Sequence, residues 1–543
     1  MRLKRLMQPR LDRPLPLWMI FPVVFAALYA SHFTLLRLPY YWDEAGYYIP
    51  AAWDFFRTGS LIPVSTLTNA HPPLPSIYLA LWWKVSGFYP EVTREAVLMV
   101  AALALLAVWR LAMRLVGVVS VAFWTVLLTG VYPIWFAQST LAHADIFAAA
   151  CTLWGLAFAL PDRDRNPRAA ALWFWAAALS KETSIAIPLT LAVLCVVEGF
   201  KARPSRRTRL WREAAWLTSC VLPLAAWYAY HYARTGFLFG NPEFLRYNAQ
   251  ANLSPVRIVA AFGHRLLHLT AHMNLFVPVL MTVAALLLNP RPDADGHERA
   301  TISDTALRRI FLLLIVNAVV FSVLGGALLT RYLLPMYPLV LLVAVATFYR
   351  RVPYWQGLAV FSAAAFLVGL FVNTPYGFAP EDNLAYAHVV RLHEAGIAEL
   401  SKKYPGATVL SAWPMTDELT RPQLGYVKQP WDVDRIEDFS QPQIDRAAEE
   451  PGKFSAALVF STKYDPPRPL LSLGPKSAEL DAKYFGLHHD LPPEQIAKQL
   501  GGDLVWEKED QGQWVALIRF VRVLAAQAAL DSGPGVRLRI EGE

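Results

Sequence analysis

Two adjacent carboxylates stand in the stretch Tyr40-Tyr41-Trp42-Asp43-Glu44-Ala45-Gly46-Tyr47-Tyr48, inside an aromatic cluster. Tyr and Trp gather at membrane–water interfaces, where a solvated acidic pair needs no function. Held away from water, however, one carboxyl of such a pair has its pKa raised by burial and by its like-charged neighbour, which suits it to act as a general base or a metal ligand. His71-Pro72-Pro73-Leu74-Pro75 follows, and then Leu141-Ala142-His143-Ala144-Asp145, with its acid at the start of an apolar run. In the first turn of a helix Asp145 could equally satisfy free backbone donors. Two cations complete the set: Lys181 in Ser180-Lys181-Glu182-Thr183 and Arg331 in Arg331-Tyr332-Leu333-Leu334-Pro335. At helix ends an amine or guanidinium can meet a phosphate. The alternatives are an ion pair of Lys181 with Glu182, and snorkelling of Arg331 to the interface. His264, His268 and His272 share one helix face; no Glu follows the first His, and Leu266, Leu267 and Leu269 take the other side, so an amphipathic interfacial helix is expected there.

The elements that must position these groups are apolar. Of 543 residues, 55% are hydrophobic and 17% charged, whereas soluble domains carry about 25% charge. The chain therefore reads as a membrane protein. Its net charge of +8 is unevenly spread: residues 1–373 hold 32 basic and 17 acidic side chains, the remainder 18 and 25. The basic surplus lies beside apolar runs and is a topology signal, so no nucleic-acid partner is expected. Cys151, Cys195 and Cys220 all sit in apolar runs, which excludes a disulfide framework and a thiolate metal site.

Candidate spans fall near 16–37, 94–116, 118–136, 144–161, 168–181, 183–200, 211–232, 272–289, 309–328, 333–349 and 353–373. This gives about eleven crossings, each needing roughly 20 apolar residues. The first is read as an uncleaved anchor because basic residues precede it and no small-residue cleavage site follows. With a cytoplasmic N-terminus, the basic clusters at 110–114, 163–168, 201–212, 291–309 and 350–351 all fall on the cytoplasmic side, provided that 73–88 is re-entrant or interfacial. The runs 168–181 and 183–200 read as two short helices meeting at Lys181-Glu182. The external segments are then 37–93, a loop from Arg234 to Thr270, and everything after about Thr374.

The two expected domains are a transmembrane part, 1–373, with 37–93 as its external catalytic loop, and an external α/β domain, 374–543. Strand-like runs at Thr408–Trp413, Ala456–Ser461, Leu504–Lys508 and Trp514–Phe520 alternate with helical stretches 382–403 and 476–500. Asp510-Gln511-Gly512 reads as a hairpin turn. The tail after about Leu530 is expected to fray.

The Asp-Glu pair, the His-Pro-Pro-Leu motif and the later acid, in that order, resemble the C-type membrane glycosyltransferases, close to the protein O-mannosyltransferases and the lipid A aminoarabinose transferases. The resemblance spans about 16–350. Ser180-Lys181-Glu182-Thr183 with Pro188, and Arg331-Tyr332-Leu333-Leu334-Pro335, fit it as well. Two positions depart from the aminoarabinose pattern: Gly46 stands where those enzymes usually carry Arg, and His71 where they favour Lys. His71 is the mannosyltransferase-like choice, so the donor sugar stays open.

The resemblance implies an inverting transfer of a sugar from a polyprenyl phosphate to an acceptor hydroxyl or amine at the external face. Asp43 would be the general base, and Glu44 would orient the acceptor or hold Asp43. Asp145 would bind acceptor or share a divalent metal ion with Asp43. His71, Lys181 and Arg331 would receive the donor phosphate. The acceptor would be a protein, a glycolipid or a cell-wall polymer, and the location a bacterial-type inner membrane, with the C-terminal domain periplasmic. A lipid-linked-sugar flippase or transporter is the alternative, disfavoured because ionisable residues collect at helix ends and no paired halves suggest inverted repeats. A binding module that merely anchors the C-terminal domain would not need so many apolar runs.

Overall fold

The computed structural model describes residues 16–520, save 67, 69, 162–164, 243–244, 247–252, 294–295, 451, 467–474 and 488. The expected frayed tail lies outside the described residues. Two compact units result. The first comprises Met1–Arg37, Tyr47–Asn373 and Glu381–Leu384; the second comprises Leu38–Gly46, Thr374–Pro380 and Ala385–Glu543. A single cut between 373 and 374 would therefore misplace two short segments, and both carry adjacent acids.

The first unit is helical. Its longest helix, Pro90–Leu115, opens with Pro90 at N1 and Glu91 in the first turn and closes with Arg114 in the last, so fixed φ and dipole-matched charges mark both ends. At 1.5 Å per residue, its 26 residues reach about 39 Å, more than the hydrocarbon thickness of a bilayer. By length and composition, four helices among the described residues can cross a membrane: Leu17–Leu35, Pro90–Leu115, Glu182–Phe200 and Asp304–Val323. A bent pair, Pro255–Asn274 with Phe276–Leu286, makes a fifth if it is one span.

The other expected spans correspond to shorter pieces, because proline and strained backbone interrupt the apolar runs. The run 118–136 divides into Val119–Val131 and Pro133–Gln138 at Tyr132-Pro133. The run 211–232 divides between Pro204–Thr218 and Val221–Thr235, so the basic cluster expected in a loop lies partly on a helix. The Arg234–Thr270 segment likewise holds the helix Pro255–Thr270 rather than being loop throughout. Beyond that helix the chain turns by 99° where Met273 and Asn274 have positive φ. There the Asn274 amide donates to the Ala365 carbonyl at 2.7 Å and holds the bend. Leu74–Ser86 is a helix of 13 residues, and the helices Pro167–Ser180 and Ala186–Phe200 do meet at Lys181-Glu182, through a short 3₁₀ turn.

The second unit is built on a five-stranded sheet. Its strands are β1 Val409–Ala412, β2 Val433–Ile436, β3 Ala456–Phe460, β4 Asp503–Asp510 and β5 Gln513–Arg519, in the order β2-β1-β3-β5-β4. The first three run parallel, and β5 lies antiparallel to both β3 and β4. β3 is central and buried on both faces, which is why it reads as an unbroken apolar run. Gln511 and Gly512, both at positive φ, make the tight β4–β5 turn. The helix Ala385–Lys403 packs its apolar face on β5 and β4.

Candidate active site

Five buried side chains from four separate stretches of the helical unit converge on one another. Asp145 stands in the first turn of Ala144–Ala159. Lys181 follows the last residue of Pro167–Ser180, where the extended backbone ends the helix. Lys181 Nζ donates to Asp145 Oδ1 at 2.6 Å, and Arg331 Nε lies 3.3 Å from the other carboxylate oxygen. Arg331 Nη1 donates at 2.5 Å to Glu381, and His143 Nδ1 is 2.9 Å from the Gln138 amide oxygen. The ammonium of Lys181 also lies 4.1 Å from the centre of the Tyr332 ring, a cation–π contact. Asp145, Lys181, Arg331, Tyr332, Thr152 and Asn317 are among the residues that line a small pocket.

The charges decide what this cluster can hold. His143, in the loop before Ala144–Ala159, is kept neutral: burial pushes its pKa well below the usual histidine value, and Arg331, Lys181 and Arg94 push it the same way. Lys181 and Arg331 are held by Asp145 and Glu381, two cations between two carboxylates. Both cations are fixed before a ligand arrives. A metal ion at Asp145 would have to displace Lys181 or Arg331, and no three His, Cys, Asp or Glu among the described residues form a metal-ligand group.

The ion pairs differ from the sequence alternatives. Lys181 pairs with Asp145 rather than with its neighbour Glu182, whose carboxylate instead meets His71 Nδ1 at 3.0 Å. His71 stacks on Tyr48 with ring centres 5.9 Å apart, and Tyr48 also lies against His143. Glu381 and Arg94 were missed from sequence. The signal for Glu381 was available, since Glu381-Asp382 repeats the adjacent-acid pattern of Asp43-Glu44. Asp382 accepts from Thr330 Oγ1 and lies 2.9 Å from His272 Nε2, so the acid pair ties the Thr330-Arg331 turn to the bent helix. His264, His268 and His272 are consecutive ring neighbours, and His272 is committed to Asp382.

Asp43 and Glu44 belong to the other unit. The segment Leu38–Gly46 is bound to the α/β domain: Tyr40 N–H donates to the Leu424 carbonyl at 3.3 Å, and the Tyr426 hydroxyl donates to the Tyr40 carbonyl at 3.0 Å. Trp42 meets Trp413 edge to face with centroids 5.2 Å apart, and Tyr41 packs on Tyr386. Glu44 is fully buried, and its carboxylate accepts the Tyr41 backbone N–H at 2.9 Å while Glu44 N–H donates to the Tyr41 carbonyl. This reciprocal pair fixes the turn that presents Asp43, which stays half-buried. Trp42 sits at φ +46°, a strained setting for a bulky residue and of the kind found at functional sites.

Gly46 now has a physical reason. A Cβ there would lie 2.8 Å from the Trp413 ring, closer than packed atoms come. Gly46→Ala is therefore expected to displace either the indole or the turn beside Asp43. A turnover loss on the order of 10- to 100-fold is expected, with the donor Michaelis constant little changed, because small misplacements act on the reacting geometry. Partial recovery by Trp413→Phe in the same chain would attribute the loss to this contact; no recovery would assign it to the backbone alone.

No family model matches the chain, and no curated protein matches it by sequence. Solved structures do. The crystal structure of ArnT from Cupriavidus metallidurans bound to undecaprenyl phosphate aligns over 92% of this chain and 97% of that one, with a TM-score of 0.52 at 16% identity. The chain shares the fold of that ArnT. The apo form of the same ArnT aligns over the same shares with a TM-score of 0.49. The resemblance drawn from the Asp-Glu pair, the His-Pro-Pro-Leu motif and the later acid thus agrees with the architecture.

Proposed function

We propose that the protein is an inverting glycosyltransferase that moves a sugar from a polyprenyl-phosphate donor to an acceptor at the external membrane face. The observation that carries this reading is the buried Asp145–Lys181–Arg331–Glu381 cluster, whose two cations line a pocket. It stands in a fold shared with an ArnT whose crystal structure has undecaprenyl phosphate bound.

Asp43 takes the acceptor proton as the nucleophilic oxygen or nitrogen attacks the anomeric carbon, and the bond to the donor phosphate breaks on the opposite face. A single base suffices for inversion by direct displacement. Lys181 has two N–H groups beyond the one spent on Asp145, and the Arg331 guanidinium stands beside it, held by two carboxylates. These receive the charge that grows on the departing phosphate. Asp145 and Glu381 act as positioning residues, holding both cations in place. His71, stacked on Tyr48 and paired with Glu182, adds a third donor if protonated.

The test is release of labelled sugar from a panel of polyprenyl-phosphate sugars by purified protein in detergent. Release from one donor that requires an acceptor supports transfer and names the sugar. Translocation of intact lipid-linked sugar without cleavage would replace transfer by transport.

The proposed topology places the basic helix Pro204–Thr218 in the cytoplasm and the α/β domain outside. Cysteines introduced at the exposed positions Ser205 and Ser401 check it. In intact cells with a permeable outer barrier, an impermeant thiol reagent is expected to label position 401 and spare 205. The reverse pattern would put the candidate site on the wrong side for this chemistry.

A further inference from the structure

The helix Pro255–Thr270 buries a stripe at four-residue spacing: Arg257, Ala261, Arg265 and Leu269. Two of these are arginines, and a buried charge in an apolar protein needs a reason. Arg265 is fully buried. Its Nε donates to the Phe321 carbonyl at 3.2 Å, its Nη1 to the Leu329 carbonyl at 2.7 Å and its Nη2 to the Ala327 carbonyl at 3.5 Å. Arg257 Nη2 donates to the carbonyls of Gly325 and Gly326 at 3.2 and 3.0 Å. Two side chains on one helix thus hold five main-chain carbonyls between 321 and 329.

What those carbonyls belong to gives the contact its meaning. Phe321 lies in the last turn of the helix Asp304–Val323, where carbonyls have no partner within the helix and the dipole favours a cation. From Leu324 to Leu329 the chain is neither helix nor strand. Its backbone groups must then be satisfied by side chains, and those side chains set its path. The segment leads directly into the Thr330-Arg331 turn. Thr330 is fixed from the other side, for its hydroxyl donates to Asp382 and its carbonyl accepts the Tyr337 hydroxyl at 3.0 Å. The Arg265 guanidinium also lies 5.6 Å from the centre of the Tyr332 ring, the ring that Lys181 meets at 4.1 Å.

We infer that Arg265 is a positioning residue for Arg331: by holding the carbonyls of Phe321, Ala327 and Leu329 it fixes the segment that delivers the Arg331 guanidinium to Asp145 and Glu381. It acts on the reaction through that segment and not by touching substrate. This rests on the proposed role of Arg331 at the departing phosphate. A cation displaced by a fraction of an ångström still attracts the donor, but it no longer meets the charge where that charge develops. The effect of losing Arg265 therefore falls on turnover more than on donor binding.

A double-mutant cycle between Arg265 and Arg331 tests this in the full-length protein, with the polyprenyl-phosphate sugar that the donor panel selects as the probe. Arg265→Gln should lower turnover on the order of 10- to 100-fold and change the donor Michaelis constant less. In an Arg331→Gln background the same change should cost no more than about twofold, the scatter of unrelated pairs, because the group it positions is already gone. Arg265→Lys keeps a donor for the carbonyls and should recover part of the turnover; should Arg265→Gln fail to fold, the Lys variant carries the cycle. Losses that multiply in the double variant would make Arg265 act independently of Arg331 and overturn the inference, as would wild-type turnover in Arg265→Gln. Full turnover in Arg331→Gln alone would instead remove the proposed leaving-group role itself, and the positioning role with it.

Discussion

Asp43→Asn is expected to lower turnover by about 10²- to 10⁴-fold, the usual cost of losing a general base, while insertion, folding and donor binding stay close to wild type. The amide keeps the shape of the side chain and loses its basicity. Folding should tolerate the change because the turn is held by other groups, namely the Glu44–Tyr41 pair and the aromatic contacts of Tyr41 and Trp42 with the α/β domain. The measurement is steady-state sugar transfer beside a donor-binding titration. Retention of more than a tenth of wild-type turnover would remove Asp43 from the base role. Asp145 would then be a poor substitute, since both its oxygens already face cations, Lys181 and Arg331.

The same region shows what a sequence displays and what it hides. Asp43-Glu44, His71, Asp145, Lys181 and Arg331 were legible because each is an ionisable group beside an apolar run, where its desolvation needs a reason. Their partners were not. Lys181 could pair with Glu182 next door or with Asp145 36 residues away, and only the meeting of two helix ends decides for Asp145. The strands β1, β3, β4 and β5 were legible as apolar or alternating runs between turn residues. β2, Val433–Ile436, was not: a half-exposed edge strand with Asp434 and Arg435 in it carries no apolar run. The expected domain cut missed that Leu38–Gly46 packs with the α/β domain, because aromatic side chains near a first apolar helix read equally well as an interfacial belt. Gly46 looked like a bare departure from a family pattern until Trp413, distant in sequence, was found against it.

Arg331→Gln is expected to have two effects that must be separated. If the guanidinium receives the departing phosphate, its loss raises the barrier by about 2 to 4 kcal/mol, the range for one preorganised donor, and acts on turnover more than on the donor Michaelis constant. The same change also strands Glu381 and weakens the hold on Asp145, and breaking a buried ion pair costs about 3 to 5 kcal/mol of stability. Arg331→Gln alone therefore confounds chemistry with folding. The double change Arg331→Gln with Glu381→Gln removes the stranded charge, so its melting temperature should return toward wild type while turnover stays low. Arg331→Lys keeps the charge but cannot span Asp145 and Glu381 with one planar fork, and should recover part of the turnover only. Lys181→Gln should show the same kinetic pattern as Arg331→Gln with a smaller loss, because it removes a point charge rather than a bidentate donor. Recovery of turnover together with stability in the double variant would make Arg331 a structural partner of Glu381, leaving Lys181 as the cation that meets the phosphate.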